Sequence, residues 1–479
     1  MTIWDPTTGV IWGILIYVVG MIAIGFWASG QIHNLPDFLV AGRKLPFYLA
    51  TATLFATWFG GGTVMGGSAE AYSSGLIGVI ADPFAAGIAL IIAGLFYVVL
   101  LRRMELLTIT DVFGRYYGKG AEIFSSTLMV PVYIGWLGAQ LLAVGYIMEA
   151  LTGWDRTWMV IAGTFVIWLY TFAGGMWAVA VTDLFQLILL IGGLLLIFPV
   201  ALAQIGGWHG LMEVTPPEVW RLLPEHGASG SDWVVYAGQW LMMGLGTVVG
   251  QDLIQRSLSS KTERVARWSA IASGIGYLTI GMIPVLLGII GRYVYPGLKD
   301  PEMIIPLLAR EHLHPILLVF FIGALLAAIM SSADSALLAG TSLITKNIVQ
   351  PIWPRLEDKN LLKIARVTTL FFMLVSMGLA LKMKSIYSLM VNSWATLFVA
   401  ILVPVTAALY LKNVTKKAAW VSMLAGVGSW FIYIFIYSGG LVDVNDAVFY
   451  AAATIGGAFS LISFLLVWYI ETQVRGRVQ

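Results

Sequence analysis

Long, uninterrupted apolar runs constrain the fold of this chain more than any other feature of its sequence. A run such as 176–203 is long enough to cross the hydrocarbon core of a bilayer as an α-helix, which needs about 20 residues. The runs do not alternate apolar and polar residues over short segments, which is the pattern of a transmembrane β-barrel. We therefore predict an all-α integral membrane protein. Because 59% of the 479 residues are hydrophobic and only 11% are charged, no soluble domain is expected beside the spans.

The runs predict thirteen transmembrane helices within one domain, residues 1–479. The predicted spans are Gly9–Ala28, Pro46–Ser73, Leu76–Leu101, Glu122–Leu151, Thr157–Phe172, Met176–Ala203, Trp233–Gln255, Ala266–Tyr295, Pro315–Thr345, Ile364–Leu381, Ile386–Leu411, Ala418–Tyr437 and Ala447–Ile470. The segment before the first run carries an Asp and no Lys or Arg, so the first span is expected to be retained and not cleaved as a signal peptide.

The basic residues predict the orientation of these spans, because Lys and Arg concentrate in cytoplasmic loops. With the N-terminus outside, the cytoplasmic segments hold twenty of the 27 basic residues, including Arg102, Arg115, Arg256 and Lys346. We therefore predict a multi-pass protein of the plasma (cell inner) membrane, with the N-terminus outside and the C-terminus in the cytoplasm.

One apolar run, Gly323 to Thr345, carries a polar cluster in its middle: Ser331, Ser332, Asp334 and Ser335. At 100° per residue these side chains share one side of a helix. Such residues also hold membrane helices together by hydrogen bonds, and that interpretation suits an isolated serine. An acid at membrane depth costs about 2.5–3.5 kcal/mol by insertion scales, so the cluster favours a binding site. Its ligands are all oxygens, which suits a hard cation such as Na⁺.

Two predicted spans contain glycine clusters at mid-membrane. Span two carries Gly60, Gly61 and Gly62, and span seven carries glycines between 244 and 250. The two clusters lie five spans apart, so 46–203 and 233–411 are predicted to form two five-helix halves of opposite orientation (a 5+5 inverted repeat). The remaining spans, 9–28 and 418–470, would lie outside the repeat. Glycines also permit close helix packing, but matched broken helices in inverted halves indicate a binding site at the midplane.

Three motifs resemble the sodium/solute symporter family, whose fold resembles that of the leucine transporter. They are DFLVAGRKLP at 37–46, GGMWAVAVTDLFQ at 174–186 and MSSADS at 330–335. Within the family, 52–62 and 68–71 are most similar to high-affinity choline transporters. The resemblance implies broken first and sixth core helices and Na⁺ as the coupling ion. It implies one sodium site made by main-chain carbonyls and two hydroxyls, and a possible second site with acids. The first site would use Ala56, Phe59, Ala328, Ser331 and Ser332, and the second Asp183, Asp334 and Ser335 with Ser331.

The resemblance also implies where a solute would bind. Trp58 and Trp136 stand where choline carriers of the family place aromatic rings, whereas the positions aligned with two other rings are Gly250 and Ala86. Gln140 and Gln251 are the polar side chains expected nearest the pocket. We expect symport of a small organic cation or zwitterion such as a choline-like compound. An amino acid, a sugar or a monocarboxylate is the alternative.

Other classes of function fit the sequence less well. A net charge of +2 spread over loops gives no basic patch for nucleic acid. An enzyme is not expected, and no catalytic residue is assigned, because the chain has no Cys and its five His lie in loops or at a span end. An ion channel would need a continuous polar path. Three further acids near predicted span ends are expected to be solvated at headgroup level and are given no role: Glu70, Asp82 and Asp252.

Overall fold

The computed structural model describes residues 12–439 and 444–478, apart from 14, 18, 22, 25, 26, 28, 29, 31 and 33. Within these residues every named element is helical, so the all-α prediction is confirmed for the part of the chain described. The α-helices are α1 Leu35–Val40, α2 Phe47–Trp58, α3 Gly67–Ser74, α4 Ala86–Ile92, α5 Val98–Arg103, α6 Asp111–Tyr117, α7 Lys119–Thr152, α8 Arg156–Gln204, α9 Gly207–Val214, α10 Gly230–Gly244, α11 Gln251–Ser259, α12 Glu263–Ile280, α13 Met282–Val294, α14 Ile304–His312, α15 Pro315–Ser342, α16 Gln350–Ile352, α17 Asp358–Ala380, α18 Ile386–Ser393, α19 Leu402–Tyr410, α20 Lys416–Ser438 and α21 Asp446–Val478.

Nine helical segments of the described chain are long and apolar enough to cross a bilayer. They are Gly62–Arg103, Lys119–Thr152, Gly175–Gln204, Glu263–Val294, Pro315–Ile352, Lys359–Ala380, Ile386–Tyr410, Lys416–Ser438 and Ala447–Val474. The number of such segments, nine, is lower than the thirteen predicted spans for the following reasons. Nine of the twenty residues of the predicted span Gly9–Ala28 lie outside the described residues. The second predicted span is interrupted, and its second half continues into the third as the single segment Gly62–Arg103. The seventh predicted span, Trp233–Gln255, is also interrupted. Within the fifth, the apolar helix Arg156–Leu169 is short.

Both interruptions coincide with the glycine clusters. Phe59 (φ −82°, ψ 61°) leaves helical geometry at the end of α2, and a π-helical turn, Gly62–Gly66, then leads into α3. A 3-10 turn, Gly246–Val249, follows α10, and Gly250 is extended (φ −62°, ψ 135°) before α11 begins. Irregular main chain at membrane depth is tolerated where protein or a polar cavity surrounds it. Since all of these residues are buried, the protein supplies those surroundings.

A third break divides α8 at Gly175, whose φ of 52° and ψ of −162° only glycine adopts without strain. A Cβ at this position would lie 2.7 Å from the Phe38 ring. The break separates Arg156–Leu169 from Gly175–Gln204, as the predicted boundary between spans five and six required.

Helix α15 lies at the centre of the described bundle. It packs against α2, α7, α8 and α17, and every residue from Ala324 to Ser342 is buried. The outer helices, in contrast, expose large apolar side chains, such as Phe435 on α20 and Ile462 on α21. Polar residues in the middle of α15 therefore face protein and not lipid.

Main-chain hydrogen bonds tie the start of α2 to the end of α11. Leu45 N donates to Ser259 O (3.0 Å), and Leu45 O accepts from Lys261 N (2.8 Å). The side chain of Gln255 adds a third bond, from Nε2 to Leu39 O (2.7 Å). The residues before α2 are thus joined to the end of α11.

The segment between α13 and α15 folds back onto the bundle. Its Glu302 is 7% exposed, and its carboxylate accepts a hydrogen bond from Ile386 N in the first turn of α18 (2.8 Å). Burial raises the pKa of Glu302 from 4.5 to about 7, while the bond from Ile386 N opposes this shift. A group that titrates near neutral pH therefore holds the start of α18.

Candidate sodium and solute sites

The hydroxyl groups of Ser331 and Ser332 are fully buried and reach two different helices. Ser332 Oγ donates to the main-chain carbonyl of Thr57, next to the last residue of α2, at 2.6 Å. Ser331 Oγ donates to Asp183 Oδ1 on α8 at 2.5 Å. The two serines therefore join α15 to the interrupted helix and to the helix that carries the second predicted acid.

The end of α2 frees a main-chain oxygen beside these serines. Gly60 N donates to Trp58 O (2.9 Å) and not to Ala56 O, its acceptor in a continuous helix. The Ala56 carbonyl thus loses its helical donor. A Cβ on Gly60 would lie 2.0 Å from Ser332 Oγ, so glycine allows α15 to approach the break. The other main-chain ligands that the resemblance implies, Phe59 and Ala328, are also buried.

Asp183 receives hydroxyl groups from two helices. Its Oδ1 accepts from Ser331 and its Oδ2 from Thr53 on α2. One turn further along α15, Ser335 Oγ lies 3.0 Å from Thr57 Oγ1. The structure thus brings the predicted second-site residues Asp183 and Ser335 to the same three-helix junction as the first site.

A buried guanidinium also belongs to this junction. Arg256 on α11 is 1% exposed, its Nη2 donates to Ser335 Oγ, and its Nη1 donates to the main-chain carbonyl of Asp252 (3.1 Å). It interacts electrostatically with Asp183, Asp252 and Asp334, which is 1% exposed. Three carboxyl groups therefore interact with a single guanidinium. When all four are ionised, the junction lacks positive charge, which a bound cation supplies.

The sequence-based placement of Arg256 in a cytoplasmic loop was wrong. The extended residue Gly250 precedes α11, and the arginine that follows on this helix is buried inside the protein. Removing Arg256 from the twenty residues assigned to the cytoplasmic side leaves nineteen of 27.

A narrow aromatic cavity lies beside the break in α2, with a volume of about 10 Å³, which is room for about one water molecule. Its lining residues are Trp58, Asp82, Trp136, Met243, Thr247, Tyr277, Met390 and Trp394. The centroid of the Trp394 ring is 5.1 Å from that of Trp136 and 6.4 Å from that of Trp58, and Trp58 meets Tyr277 edge to face at 6.4 Å. Rings arranged in this way attract a cation through their π faces.

Two acids expected at headgroup level are instead fully buried, so that expectation was wrong for Asp82 and Asp252. Asp82 lines the aromatic cavity. Asp252 accepts hydrogen bonds from Trp58 Nε1 (2.5 Å) and Tyr133 OH (3.1 Å). Both acids lie near the ends of apolar runs in the sequence. In the fold they are buried inside the bundle, because the chain is interrupted at Gly60 and Gly250 and continues within the protein. Glu70, in contrast, is partly exposed and accepts a bond from the Ser74 hydroxyl.

The other predicted solute-binding residues lie next to the cavity or away from it. Gln140 Oε1 accepts from Gly61 N (2.9 Å) and so caps the break in α2. Gln251 is held at both ends of its amide, by Ile109 N (2.8 Å) and Ser342 Oγ (2.9 Å), and does not line the cavity. A Cβ on Gly250 would lie 3.5 Å from the Trp394 ring, so Trp394 occupies the space beside that position.

Sequence reasoning missed Asp82, Tyr277 and Trp394 as lining residues. The chain has 19 Trp and 19 Tyr, and no local pattern distinguishes these rings from anchors at the membrane interface. Asp82 did carry a signal, because an acid within an otherwise apolar segment is unusual at membrane depth.

The chain is similar in sequence and in fold to known transporters. The model of the "Sodium:solute symporter family" matches residues 38–426. The human high affinity choline transporter 1 is 28% identical over 442 residues, covering 86% of this chain and 75% of that protein. The sodium/proline symporter of Staphylococcus aureus (strain JH9) is 26% identical over 488 aligned residues, covering 97% and 92%. The substrate-bound, outward-open structure of a Na⁺-coupled sialic acid symporter superposes with a TM-score of 0.83 at 18% identity, covering 98% of each chain.

These relatives are transporters, and the apolar helices make this chain a multi-pass protein of the plasma membrane. The sialic acid symporter shares its all-helical fold. The family match extends from α1 into α20 and includes both interrupted helices and α15. The chain therefore belongs to the sodium:solute symporter family.

Proposed function

We propose that this protein imports a small organic cation or zwitterion together with Na⁺ by alternating access. The observation that carries the proposal is the bond from Ser332 Oγ to Thr57 O, because it places a buried hydroxyl of α15 at the break in α2. A cation bound among these oxygens would hold α15 to α2, and its release would free the two helices to move apart.

The first sodium site is proposed to use the carbonyls of Ala56, Phe59 and Ala328 with the hydroxyls of Ser331 and Ser332. Two observations support this assignment: the release of the Ala56 carbonyl from the helical ladder and the close approach of Ser332 to Gly60. Oxygen ligands without thiol or imidazole suit Na⁺.

A second site is proposed around Asp183, Asp334 and Ser335. Because the Arg256 guanidinium already donates to Ser335, Na⁺ binding there requires Arg256 to withdraw from that hydroxyl. Arg256 already donates to the main-chain carbonyl of Asp252 and interacts with the Asp252 carboxylate, which can hold the guanidinium after it leaves Ser335.

The aromatic cavity supports an organic cation as the solute. Trp58, Trp136, Tyr277 and Trp394 line it, and the faces of aromatic rings attract ammonium groups through cation–π interaction. Among the relatives, one is a choline transporter and one a proline symporter, and both names are consistent with a solute that carries a positively charged nitrogen.

The finer architecture is also proposed. We infer thirteen spans in a 5+5 inverted repeat (46–203 and 233–411), with the N-terminus outside. The paired breaks after α2 and α10 support the repeat, and the nineteen basic residues assigned to the cytoplasmic side support the orientation.

Thermal stability of the purified protein in NaCl and in KCl tests the sodium assignment. We expect Na⁺ to stabilise the wild type relative to K⁺ and expect Ser332→Ala to lose at least tenfold in apparent Na⁺ affinity. Ser376→Ala is the matched control, since Ser376 is a buried serine on α17, a helix that contributes no residue to the proposed sodium sites. Equal Na⁺ affinity in Ser332→Ala and the wild type would contradict the assignment.

Transport in proteoliposomes separates a symporter from a channel. Quaternary amines, amino acids, sugars and monocarboxylates are first screened by thermal shift with and without Na⁺. The labelled form of the compound that stabilises most is then given with an inward Na⁺ gradient. A symporter accumulates it above the external concentration, and K⁺ in place of Na⁺ abolishes the accumulation. A channel only equilibrates it.

A further inference from the structure

A carboxylate forms part of the wall of the aromatic cavity. Asp82 is fully buried, and the other lining side chains are three Trp, one Tyr, two Met and one Thr. An acid among rings and thioethers is expensive in a membrane protein unless a cation or several donors satisfy it. A carboxylate at this position therefore needs hydrogen-bond donors, a cation, or both.

Two hydroxyls hold this carboxylate in place. Thr63 Oγ1 donates to Asp82 Oδ2 at 2.6 Å, and Tyr277 OH donates to Asp82 Oδ1 at 2.7 Å. Both hydroxyls also lie within hydrogen-bonding distance of the Trp58 carbonyl at the end of α2, at 3.2 and 3.1 Å. The carboxylate is thus fixed against the break, and one bond to each oxygen leaves further lone pairs for an additional donor.

The charge of Asp82 is not balanced by a side chain of the described structure. None of its salt bridges involves Asp82. The buried guanidinium of Arg256 interacts instead with Asp183, Asp252 and Asp334. The aromatic cavity therefore contains an ionisable carboxyl group beside aromatic rings, and a cation that enters it would meet both.

The geometry points to Asp82 as the hydrogen-bond acceptor and counter-ion for a protonated amine of the solute. The solute class would then be small ammonium compounds with at least one N–H, bound in preference to their quaternary analogues. This inference rests on the proposed function, since it assumes that the aromatic cavity receives the transported cation. Asp82 could also serve only to fix Thr63 and Tyr277, but that role needs neither a charge nor a place in the cavity wall.

The preference follows from the chemistry of the two kinds of cation. An N–H of an ammonium group donates directly to a carboxylate in a charge-assisted hydrogen bond of about 2.7–2.9 Å. A quaternary nitrogen has no proton to donate, and its methyl groups keep the charge further from the oxygen. Aromatic faces attract both kinds of cation. Asp82 therefore distinguishes between them, whereas the rings do not.

A methylation series tests the inference with the full-length purified protein in NaCl. The probes are ethanolamine, N-methylethanolamine, N,N-dimethylethanolamine and choline, which share one skeleton, and binding is measured by thermal shift and isothermal titration. We expect wild-type affinity to be at least tenfold higher for the N–H amines than for choline. Asp82→Asn should lose at least tenfold in affinity for the N–H amines and change less for choline.

Two further variants separate binding from a structural role. Tyr277→Phe removes one donor to Asp82 but keeps the carboxylate, so the preference for N–H amines should survive even if all affinities fall. Thr247→Val alters the cavity wall without removing a hydrogen bond of Asp82, because the Thr247 hydroxyl donates to Met243 O, and it should move the four affinities in parallel. Should Asp82→Asn fail to fold, as judged by the absence of a cooperative thermal transition, Asp82→Ser and the wild-type methylation series still decide the matter.

The possible failures are distinct. If amines bind with Na⁺ but choline binds as tightly as ethanolamine, or if Asp82→Asn weakens all four probes equally, the inference about Asp82 is wrong and the proposed function stands. If none of the four amines binds while a sugar or a monocarboxylate does, the proposed solute class is wrong as well.

Discussion

A single guanidinium among three carboxylates governs the electrostatics of the sodium junction. Arg256 donates to Ser335 and interacts with Asp183, Asp252 and Asp334. Buried ions are stable only when neighbouring charges and hydrogen bonds compensate their desolvation. Each substitution in this group is therefore expected to change the proposed cation affinity by changing the local charge balance, in addition to any loss of a hydrogen bond.

Asp183→Asn should lower the Hill coefficient for sodium. The substitution removes one negative charge and replaces one of two acceptors by a donor, so that the hydroxyl of Thr53 or of Ser331 loses its partner. We expect the Hill coefficient to fall toward one and the apparent Na⁺ affinity to fall about tenfold. Initial uptake rates as a function of Na⁺, with K⁺ keeping the ionic strength constant, provide the measurement.

The control for this substitution is Glu357→Gln, which removes an exposed carboxylate paired with Lys359 far from the junction. It should leave the sodium dependence unchanged. A wild-type Hill coefficient in Asp183→Asn would show that Asp183 belongs to no sodium site.

Local sequence patterns identified some residues of this junction and could not identify others. Ser331 and Ser332 were recognisable because polar groups in a long apolar run need partners wherever the run is buried. Arg256 and Asp252 follow a glycine cluster, and their burial depends on how far α11 continues into the bundle. That depends on the main-chain geometry at Gly250, which the residue types alone do not determine.

The two interrupted helices position the polar groups of the junction. The break after α2 frees a carbonyl for a cation, and the break before α11 brings Arg256 and Asp252 to the same junction. The Asp252 carboxylate then accepts from Trp58 Nε1, so the two breaks are connected by a side chain. A movement of either helix end is therefore expected to disturb the other.

Gly60→Ala tests whether glycine at the first break serves the sodium site. The new Cβ would lie 2.0 Å from Ser332 Oγ and 2.8 Å from Gln140 Oε1, which forces α2 and α15 apart. Overpacking of this kind costs about 1–3 kcal/mol. We expect loss of Na⁺-dependent stabilisation and of uptake, measured by thermal shift and in proteoliposomes.

Gly323→Ala is the matched control, because Gly323 lies on the same helix as Ser332 and a Cβ there has no neighbour within 4 Å. It should behave as the wild type. Unchanged Na⁺ affinity in Gly60→Ala would mean that the glycine serves helix packing alone.

Glu302 gives the start of α18 a pH dependence. Its pKa is raised by burial from 4.5 to about 7, with a smaller contribution from Glu70, so the folded protein binds a proton there that the unfolded chain releases. Stability from this group is present in full below pH 4.5 and is lost as the pH rises toward about 7. The melting temperature should fall over that interval by at least about 2 °C.

Glu302→Gln should flatten this part of the stability profile, because glutamine keeps an acceptor for Ile386 N but does not titrate. Thermal unfolding at a series of pH values, with Glu357→Gln as the control for an exposed acid, provides the measurement. An identical pH slope in Glu302→Gln and the wild type would assign the effect to another group.

The elements were predictable to different degrees. Apolar length predicted the long helices, and glycine clusters predicted both interruptions. Helix boundaries were less accurate: the predicted span beginning at Leu76 opens with a 3-10 turn, Gly75–Val79, before the π-helical turn Ile80–Ala85. These turns depend on packing against neighbouring helices, which a single sequence does not show.

For the whole molecule, the membrane potential and the sodium gradient determine how far a solute can be concentrated. One Na⁺ gains about 2.3 kcal/mol from 100 mV and about 1.4 kcal/mol from a tenfold gradient. A singly charged cationic solute adds about 2.3 kcal/mol of its own. One sodium ion with such a solute therefore supports accumulation of about 10⁴-fold.

The charge carried per solute molecule distinguishes the proposed solutes once the number of coupled Na⁺ ions is known from the Hill coefficient. A cation with one Na⁺ carries two charges and with two Na⁺ three, whereas a zwitterion carries one or two. An inside-negative potential set by K⁺ and valinomycin should accelerate uptake of the cation, and the reversal potential gives the number of charges. Proteoliposomes with equal K⁺ on both sides are the control, and uptake that ignores the potential would exclude a net movement of positive charge.

The joint between Leu45 and the chain around Ser259 and Lys261 consists of peptide groups. Truncation of any of these three side chains leaves both bonds in place, so alanine scanning cannot detect how they contribute to transport. An amide-to-ester exchange or a proline at position 261 would delete one donor selectively. An inhibitor that opened this end of the molecule would need the donors and acceptors of a short extended peptide.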